Sequence, residues 1–125
     1  MRFLDSNILA YAFYDNEHTE KCQQEIAQGG VTDTFSLVEA FFIIEKETKN
    51  REKAQRCIRG LLKSNLQIID VDINILFESL KKIGMYHLSI FDMIHYTVAR
   101  LANCEEIMSY DLDFNKLEIP RVEPD

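Results

Sequence analysis

Two hydrophobic periods alternate along this chain, and the switches between them mark its elements. Met1 to Leu4 is a short apolar strand ending at Asp5, and Asn16 is placed to cap a helix that runs to the Gly29-Gly30 stop. Val31-Thr32 leaves room for only a very short strand. From about Thr34 to Thr48 the residues Phe35, Val38, Phe41, Phe42 and Ile44 predict a helix, and the next helix spaces Ala54, Cys57, Ile58, Leu61 and Leu62 along one side. Leu66 to Val71 is an apolar strand. Asp72 then caps a helix with Ile73, Leu76, Phe77, Leu80 and Ile83 on one face, ended by Gly84. A further helix is predicted from near Ser89 to about Asn103, then a short strand from Glu106 to Ser109. A last strand over Ile119 to Val122 is confined to a sheet edge by Pro120.

Strands alternating with helices imply a parallel sheet covered on both faces, because right-handed crossovers place the helices there. The expected fold is therefore an α/β three-layer sandwich with a short-stranded parallel sheet. In such open sheets ligands bind beyond the carboxyl ends of the strands. The 125 residues, 46 % hydrophobic with four Gly and two Pro, suit one domain spanning 1–125 without a long linker. No apolar run approaches the roughly 18 residues that span a bilayer, and the first residues lack a signal-peptide pattern, so the expected location is the cytoplasm. Cys22, Cys57 and Cys104 form no CxxC pair and are read as packing residues rather than as a disulfide or zinc framework.

A formal net charge of −7 argues against a nucleic-acid partner until its distribution is considered. Between Lys46 and Lys63 seven basic residues face only Glu47 and Glu52. Lys53, Arg56, Arg59 and Lys63 fall opposite the apolar stripe of their helix, where they either contact phosphates or simply keep that face solvated.

With 21 Asp and Glu in the chain, an acid at any given position is weak evidence, so context has to discriminate. Four acids lack the polar surroundings of a solvated surface. Asp5 ends the first strand and precedes Ser6-Asn7-Ile8-Leu9, where it could also cap a short helix. Glu39 has Phe35, Phe42 and Ile43 as helical neighbours, and Ser36-Leu37-Val38-Glu39 fits a capping box. Asp92 sits in a second such box, Ser89-Ile90-Phe91-Asp92. Asp111 follows the strand ending at Ser109, with Asp113 as the rival acid and a turn role open to both. His95, one turn after Asp92, reads either as a cleft residue or as a satisfied core histidine. There is no Gly-rich phosphate loop, GxSxG or HExxH, so serine-nucleophile, P-loop and zinc-protease chemistries lose their sequence support.

Taken together these residues resemble the PIN-domain nucleases, from Arg2 to about Arg121. Phe3-Leu4-Asp5-Ser6-Asn7 is similar to the family's apolar-Asp-Ser/Thr-Asn opening, and Ser36 to Glu39 to its second acid. Leu88-Ser89-Ile90-Phe91-Asp92 running into Val98-Ala99 resembles the third motif, with Met93-Ile94 where small residues are common. Ser109-Tyr110-Asp111 with Phe114 resembles the fourth. The resemblance implies a Mg²⁺- or Mn²⁺-dependent ribonuclease, often the toxin of a VapBC-type pair with an antitoxin partner, and commonly a homodimer or higher oligomer.

The chemistry of the acids leads the same way. Four carboxylates in one cleft repel each other unless a cation neutralises them, and all-oxygen donors favour Mg²⁺ or Mn²⁺, as one ion or as two about 4 Å apart. Asp5, Asp92 and Asp111 are the expected metal contacts; Glu39 would bind a second ion or orient water, and Asn7 and Ser109 would hold the ligands by hydrogen bonds. Two competing readings share the architecture: a catalytically silent PIN-like scaffold, and a phosphoacceptor receiver-like signalling domain. The receiver would need an early acid pair and a phosphate-binding loop, where this chain has Asp5 alone and Asp70 followed by Asp72.

Overall fold

The computed structural model describes all residues 1–125. Five parallel strands, β1 (Arg2–Leu4), β2 (Gly30–Asp33), β3 (Leu66–Ile69), β4 (Glu106–Met108) and β5 (Arg121–Val122), form one sheet in the order β3-β2-β1-β4-β5. Six helices connect them: α1 (Ser6–Tyr11), α2 (Thr19–Gln28), α3 (Thr34–Thr48), α4 (Arg51–Leu62), α5 (Ile73–Tyr86) and α6 (Ile90–Leu101), with a 3-10 turn at Leu112–Lys116. The period-two alternation of the strands divides the core. Leu4 and Met108 face the side where α1, α3 and α4 pack with Ile8, Leu37, Ile44 and Leu61, while Phe3 and Ile107 face the side of α5 and α6 with Met93, Ile94, Tyr96 and Val98. This is the three-layer sandwich expected from the sequence. Gly30 permits the close strand packing, since a Cβ there would lie 2.9 Å from the Arg2 carbonyl oxygen.

Several local expectations are corrected. Asn16 does not cap α2, which starts at Thr19 after His18; its side chain instead accepts from the His18 N–H and donates to the Tyr11 and Tyr14 carbonyls, fixing the preceding turn. Gly84 does not stop α5, because the helix continues to Tyr86 and His87 takes the left-handed terminal position at φ 55°. Ser36 opens no helix: Asp33 caps α3 by accepting from the Ser36 N–H, so Glu39 lies in the second turn and Ser36–Glu39 is not a capping box. Ser89 does cap α6, accepting from the Asp92 N–H at 3.1 Å. β3 is shorter than expected, and β5 is an edge strand of two residues reached through Pro120, whose carbonyl accepts from Ile107. Cys22 and Cys104 are buried as expected of packing residues, Cys57 is half-buried, and all three are free.

Most of the apolar stripe of α5 points the wrong way for a core, and of its residues Ile83 packs against the α6 side. Ile73, Leu76, Phe77 and Leu80 are all exposed, Ile73 by 83 % and Phe77 by 59 %, whereas Ile75 and Ser79 are buried. The Ser79 hydroxyl lies 2.8 Å from the Ile75 carbonyl oxygen and 2.9 Å from Thr97 Oγ1 of α6, so a small polar contact seats the helix while the larger residues face outward. Val38 and Phe42 of α3 are also exposed, with Leu37, Ala40 and Ile44 taking the core side.

Candidate active site

The carboxyl ends of β1 and β4 meet at a hydrogen-bonded knot. The Asp5 N–H donates to the Met108 carbonyl at 3.0 Å, continuing the β1–β4 pairing past the strand end and carrying the side chain to the sheet edge. Its Oδ1 accepts from the Ser6 N–H at 2.8 Å, capping α1, and its Oδ2 accepts from Ser109 Oγ at 2.6 Å and Asn7 Nδ2 at 3.3 Å. Ser109, fully buried, also accepts from the Asp111 N–H at 2.9 Å. Asn7 closes the knot by donating to Ser109 Oγ and accepting from the Tyr110 N–H. Capping and membership of the cleft therefore coincide in Asp5. Burial pushes its carboxyl up from the usual range, opposed by the nearby His95 and by the hydrogen bonds of Ser109 and Ser6.

Asp92, in the first turn of α6, faces Asp111 and Asp113, each offering a carboxylate oxygen within 4.8 Å of the others. The Asp111 side chain accepts from the Asp113 N–H at 2.9 Å and so opens the 3-10 turn. Asp113 is exposed, and Lys116 Nζ lies 3.7 Å from its carboxylate. Asp92 is pushed up to about 6, first by desolvation, then by the charges of Asp5 and Asp111, with His95 opposing and Glu39 adding to the rise. Those causes put all four acids singled out from the sequence in one electrostatic neighbourhood, although they divide into two groups: Asp92 with Asp111 and Asp113, and Asp5 with Glu39 and His95.

The inner group is braced by Asp33, an acid that sequence patterns did not single out. His95 is fully buried; its Nδ1 lies 2.7 Å from Asp33 Oδ2 and 3.3 Å from Ser36 Oγ, and its Nε2 lies 2.6 Å from Glu39 Oε1. Asp33, at the end of β2, is also fully buried while its other oxygen caps α3. Burial alone would lower the His95 pKa, but the hydrogen bonds of Asp33 and Glu39 and the charges of Asp33 and Asp5 outweigh it and raise it well above the usual value. Val31-Thr32-Asp33 before a helix carries the same strand-end acid signal that draws attention to Asp5, and Asp33 could have been found by it.

Lys53, Arg56, Arg59 and Lys63 lie on or just after α4, the last three exposed, and none pairs with an acid of the cleft; Arg56 instead faces Glu52 at 3.5 Å. Asp70 is exposed beyond β3 and belongs to neither acid group, which leaves the receiver-like reading without its phosphoacceptor pocket.

The outer donor set fits a hard divalent cation. Its ligands are all oxygens, and the Asp92 carboxylate accepts no hydrogen bond from the protein while repelled by its neighbours.

No helix is long and apolar enough to cross a membrane. Searched by sequence, no curated protein matches the chain. Solved structures share its fold at low identity. The Mycobacterium tuberculosis toxin VapC20, described as cleaving the sarcin-ricin loop, superposes with a TM-score of 0.85 at 15 % identity, over 99 % of this chain and all of that one. A Klebsiella pneumoniae toxin-antitoxin complex contains a chain with a TM-score of 0.76 at 20 % identity, covering 100 % and 98 %. VapBC2 of Rickettsia felis, solved with a DNA fragment of its promoter, gives 0.66 at 19 %, covering 99 % and 98 %. The sequence profile of the PIN domain matches residues 2–120, and with that span, this topology and acids gathered at the ends of β1 and β4, the chain belongs to the PIN-domain family.

Proposed function

We propose that the protein is a divalent-metal-dependent endoribonuclease acting through Asp5, Glu39, Asp92 and Asp111. The observation that carries this reading is Asp92: a carboxylate pushed up to about 6, without a protein hydrogen-bond donor, facing acids brought from the ends of two adjacent strands. Asp5, Asp92 and Asp111 would hold Mg²⁺ or Mn²⁺. An ion held there would supply a bound water of lowered pKa and compensation for charge on the leaving oxygen. Ser109 and Asn7 fix the Asp5 oxygens and couple them to the Asp111 backbone. Glu39, with Oε1 engaged by His95, keeps a second oxygen to orient the attacking water. Asp111 is preferred to Asp113 as the fourth acid because Ser109 ties it to Asp5, whereas Asp113 has a lysine beside it. The choice of RNA follows the family resemblance and the loop-cleaving VapC20 toxin.

The test is cleavage of single-stranded RNA with Mn²⁺ or Mg²⁺. Asp5→Asn and Asp92→Asn should each lower turnover by at least about 100-fold, the scale of removing one electrostatic stabiliser from a reaction centre. Equal cleavage by wild type and both variants would assign the activity to a contaminant.

The role of a toxin paired with an antitoxin rests on the two-component complexes of similar fold. Exposed Val38 and Phe42 flank Glu39 in sequence and offer an apolar surface beside the cleft for such a partner. The α5 stripe of Ile73, Leu76, Phe77 and Leu80 supports self-association. Light scattering should find a dimer in wild type and a monomer in Phe77→Lys; identical masses would remove α5 from the interface.

A further inference from the structure

The turn that carries Asp111 and Asp113 is closed by a single side chain. Arg121 of β5 donates through one terminal nitrogen to the Ser109 carbonyl at 2.8 Å and through Nε to Asn115 Oδ1 at 2.9 Å. Ser109 is where the chain leaves β4 and Asn115 lies in the 3-10 turn, so the two acceptors bracket both acids along the chain. The Arg121 side chain is only 13 % exposed, and Glu123 accepts from the same terminal nitrogen at 2.6 Å, which offsets its charge. Arginine suits this task because its donors stand in one rigid fork that reaches two acceptors at once, whereas a lysine ammonium is a point charge on a flexible stem. The edge strand does not depend on the fork: the Ile107 N–H donates to the Pro120 carbonyl and the Ser109 N–H to the Val122 carbonyl. Glu118, on the return limb, is held separately by the hydroxyls of Tyr86 and Tyr96.

We infer that Arg121 is a positioning residue for the outer acids: its fork spans the turn from Ser109 to Asn115 and holds Asp111 and Asp113 in their pose toward Asp92. This inference rests on the proposed nuclease reading for its effect on turnover, but not for its effect on the shape of the metal-free turn. The physical logic is preorganisation against repulsion. The carboxylates of Asp92, Asp111 and Asp113 lie within 4.8 Å of one another, so a turn free to move swings its acids away from Asp92, and a ligand then has to gather them again. The cost of that gathering is subtracted from affinity, and two hydrogen bonds to fixed points remove it beforehand. The fork also steadies the link between the two acid groups, because the Ser109 whose carbonyl it holds is bonded through Oγ to Asp5 and to the Asp111 N–H.

The experiment compares wild type with Arg121→Met, Arg121→Lys, Asn115→Ala and the double variant Arg121→Met/Asn115→Ala, each checked for folding by circular dichroism. Three readouts are taken: hydrogen exchange of the Asp111 and Asp113 amides in the metal-free protein by NMR, Mn²⁺ affinity by titration calorimetry, and steady-state RNA cleavage. Arg121→Met should speed exchange of both amides by roughly 10-fold or more, the scale of losing a hydrogen bond from a charged group. The Asp5 and Ser6 amides, bonded to Met108 and to the Asp5 carboxylate, should keep their protection. Mn²⁺ affinity and kcat/KM should each fall by roughly 10-fold, the lower end for an outer partner of a ligand. Arg121→Lys keeps the charge without the fork and should resemble Arg121→Met. Asn115→Ala should shift all three readouts the same way by about 3-fold, and the double variant should be no worse than Arg121→Met, since both substitutions remove one shared bond. Unchanged amide exchange in folded Arg121→Met would overturn the inference, and so would wild-type behaviour of Arg121→Lys, which would assign the role to charge. Should Arg121→Met fail to fold, Asn115→Ala decides in its place, because Asn115 is exposed and unchanged exchange there is equally fatal. A wild type that cleaves no RNA would defeat the nuclease reading instead, and the amide exchange would still decide this one.

Discussion

The two halves of the acid cleft are built on opposite electrostatic plans. In the inner half every acid has a partner from the protein: Asp5 has Ser6, Asn7 and Ser109, while Asp33 and Glu39 share His95. In the outer half Asp92 has no side-chain partner, and Asp111 accepts only from the neighbouring Asp113 N–H. Charge that the protein has compensated holds the fold; charge left uncompensated is available to a ligand. The difference says where a metal ion gains most, since binding relieves repulsion in the outer half but must displace hydrogen bonds in the inner half.

The sharpest way to break this comparison is thermal stability with and without metal. A divalent ion that binds only the folded chain should add about 2.7 kcal/mol at 100 times its dissociation constant, a melting shift of roughly 10 °C for a domain of this size. Asp92→Asn should reverse the signs, melting above wild type in EDTA at pH 7 and gaining less from Mn²⁺. The pH dependence follows from the raised Asp92 pKa. Its carboxyl binds a proton more tightly in the folded than in the unfolded chain, so its contribution is fully present below about pH 4 and is lost as the pH rises through about 6. Metal-free wild type should therefore lose stability across that window, and Asp92→Asn should lose less. Melting curves unmoved by 10 mM Mn²⁺, on the order of a hundredfold excess over a working site, would remove the shared cleft and the proposed mechanism with it.

A smaller effect separates Asp111 from Asp113 within the outer half. Both carboxylates reach Asp92, but only Asp111 is linked through Ser109 to Asp5. Asp111→Asn should cost roughly 10- to 100-fold in Mn²⁺ affinity or turnover, and Asp113→Asn distinctly less. The reverse order, measured by titration and by RNA cleavage, would transfer the role to Asp113.

How much of this was legible in the sequence differs between the halves in the same way. The outer acids and Asp5 stand at strand ends or in a helix first turn, where local signals such as Ser89 before Asp92 place them without tertiary knowledge. The inner half depends on a contact between residues 62 positions apart, Asp33 and His95, which no periodicity encodes. His95 could be read as a satisfied core residue, and it is one, but its partners lie on β2 and α3. The helix start near Thr34 is legible and leaves Asp33 at its cap, but a capping role gives no sign that the other carboxylate oxygen belongs to this group. The α5 stripe failed for a related reason. A 3.6-residue apolar period locates a sticky face without saying whether the core or another chain covers it.

The smallest predicted effect concerns what offsets the outer half's charge toward a polyanion. Asp92, Asp111 and Asp113 repel phosphate in the metal-free protein, and the chain as a whole is at −7, so attraction for RNA has to come from a separate surface. α4 offers Arg56, Arg59 and Lys63 exposed and Lys53 half-buried, with only Glu52 paired against them. Replacing Lys53, Arg56 and Arg59 by Gln should weaken RNA binding at low salt and reduce the log–log salt slope by roughly 0.7 for each phosphate no longer neutralised. The substitutions lie outside the acid cleft, so the metal-induced melting shift should survive them unchanged. If the slope stays at its wild-type value, the basic face of α4 serves only to keep that helix solvated, and the RNA must be held by the metal-loaded cleft alone.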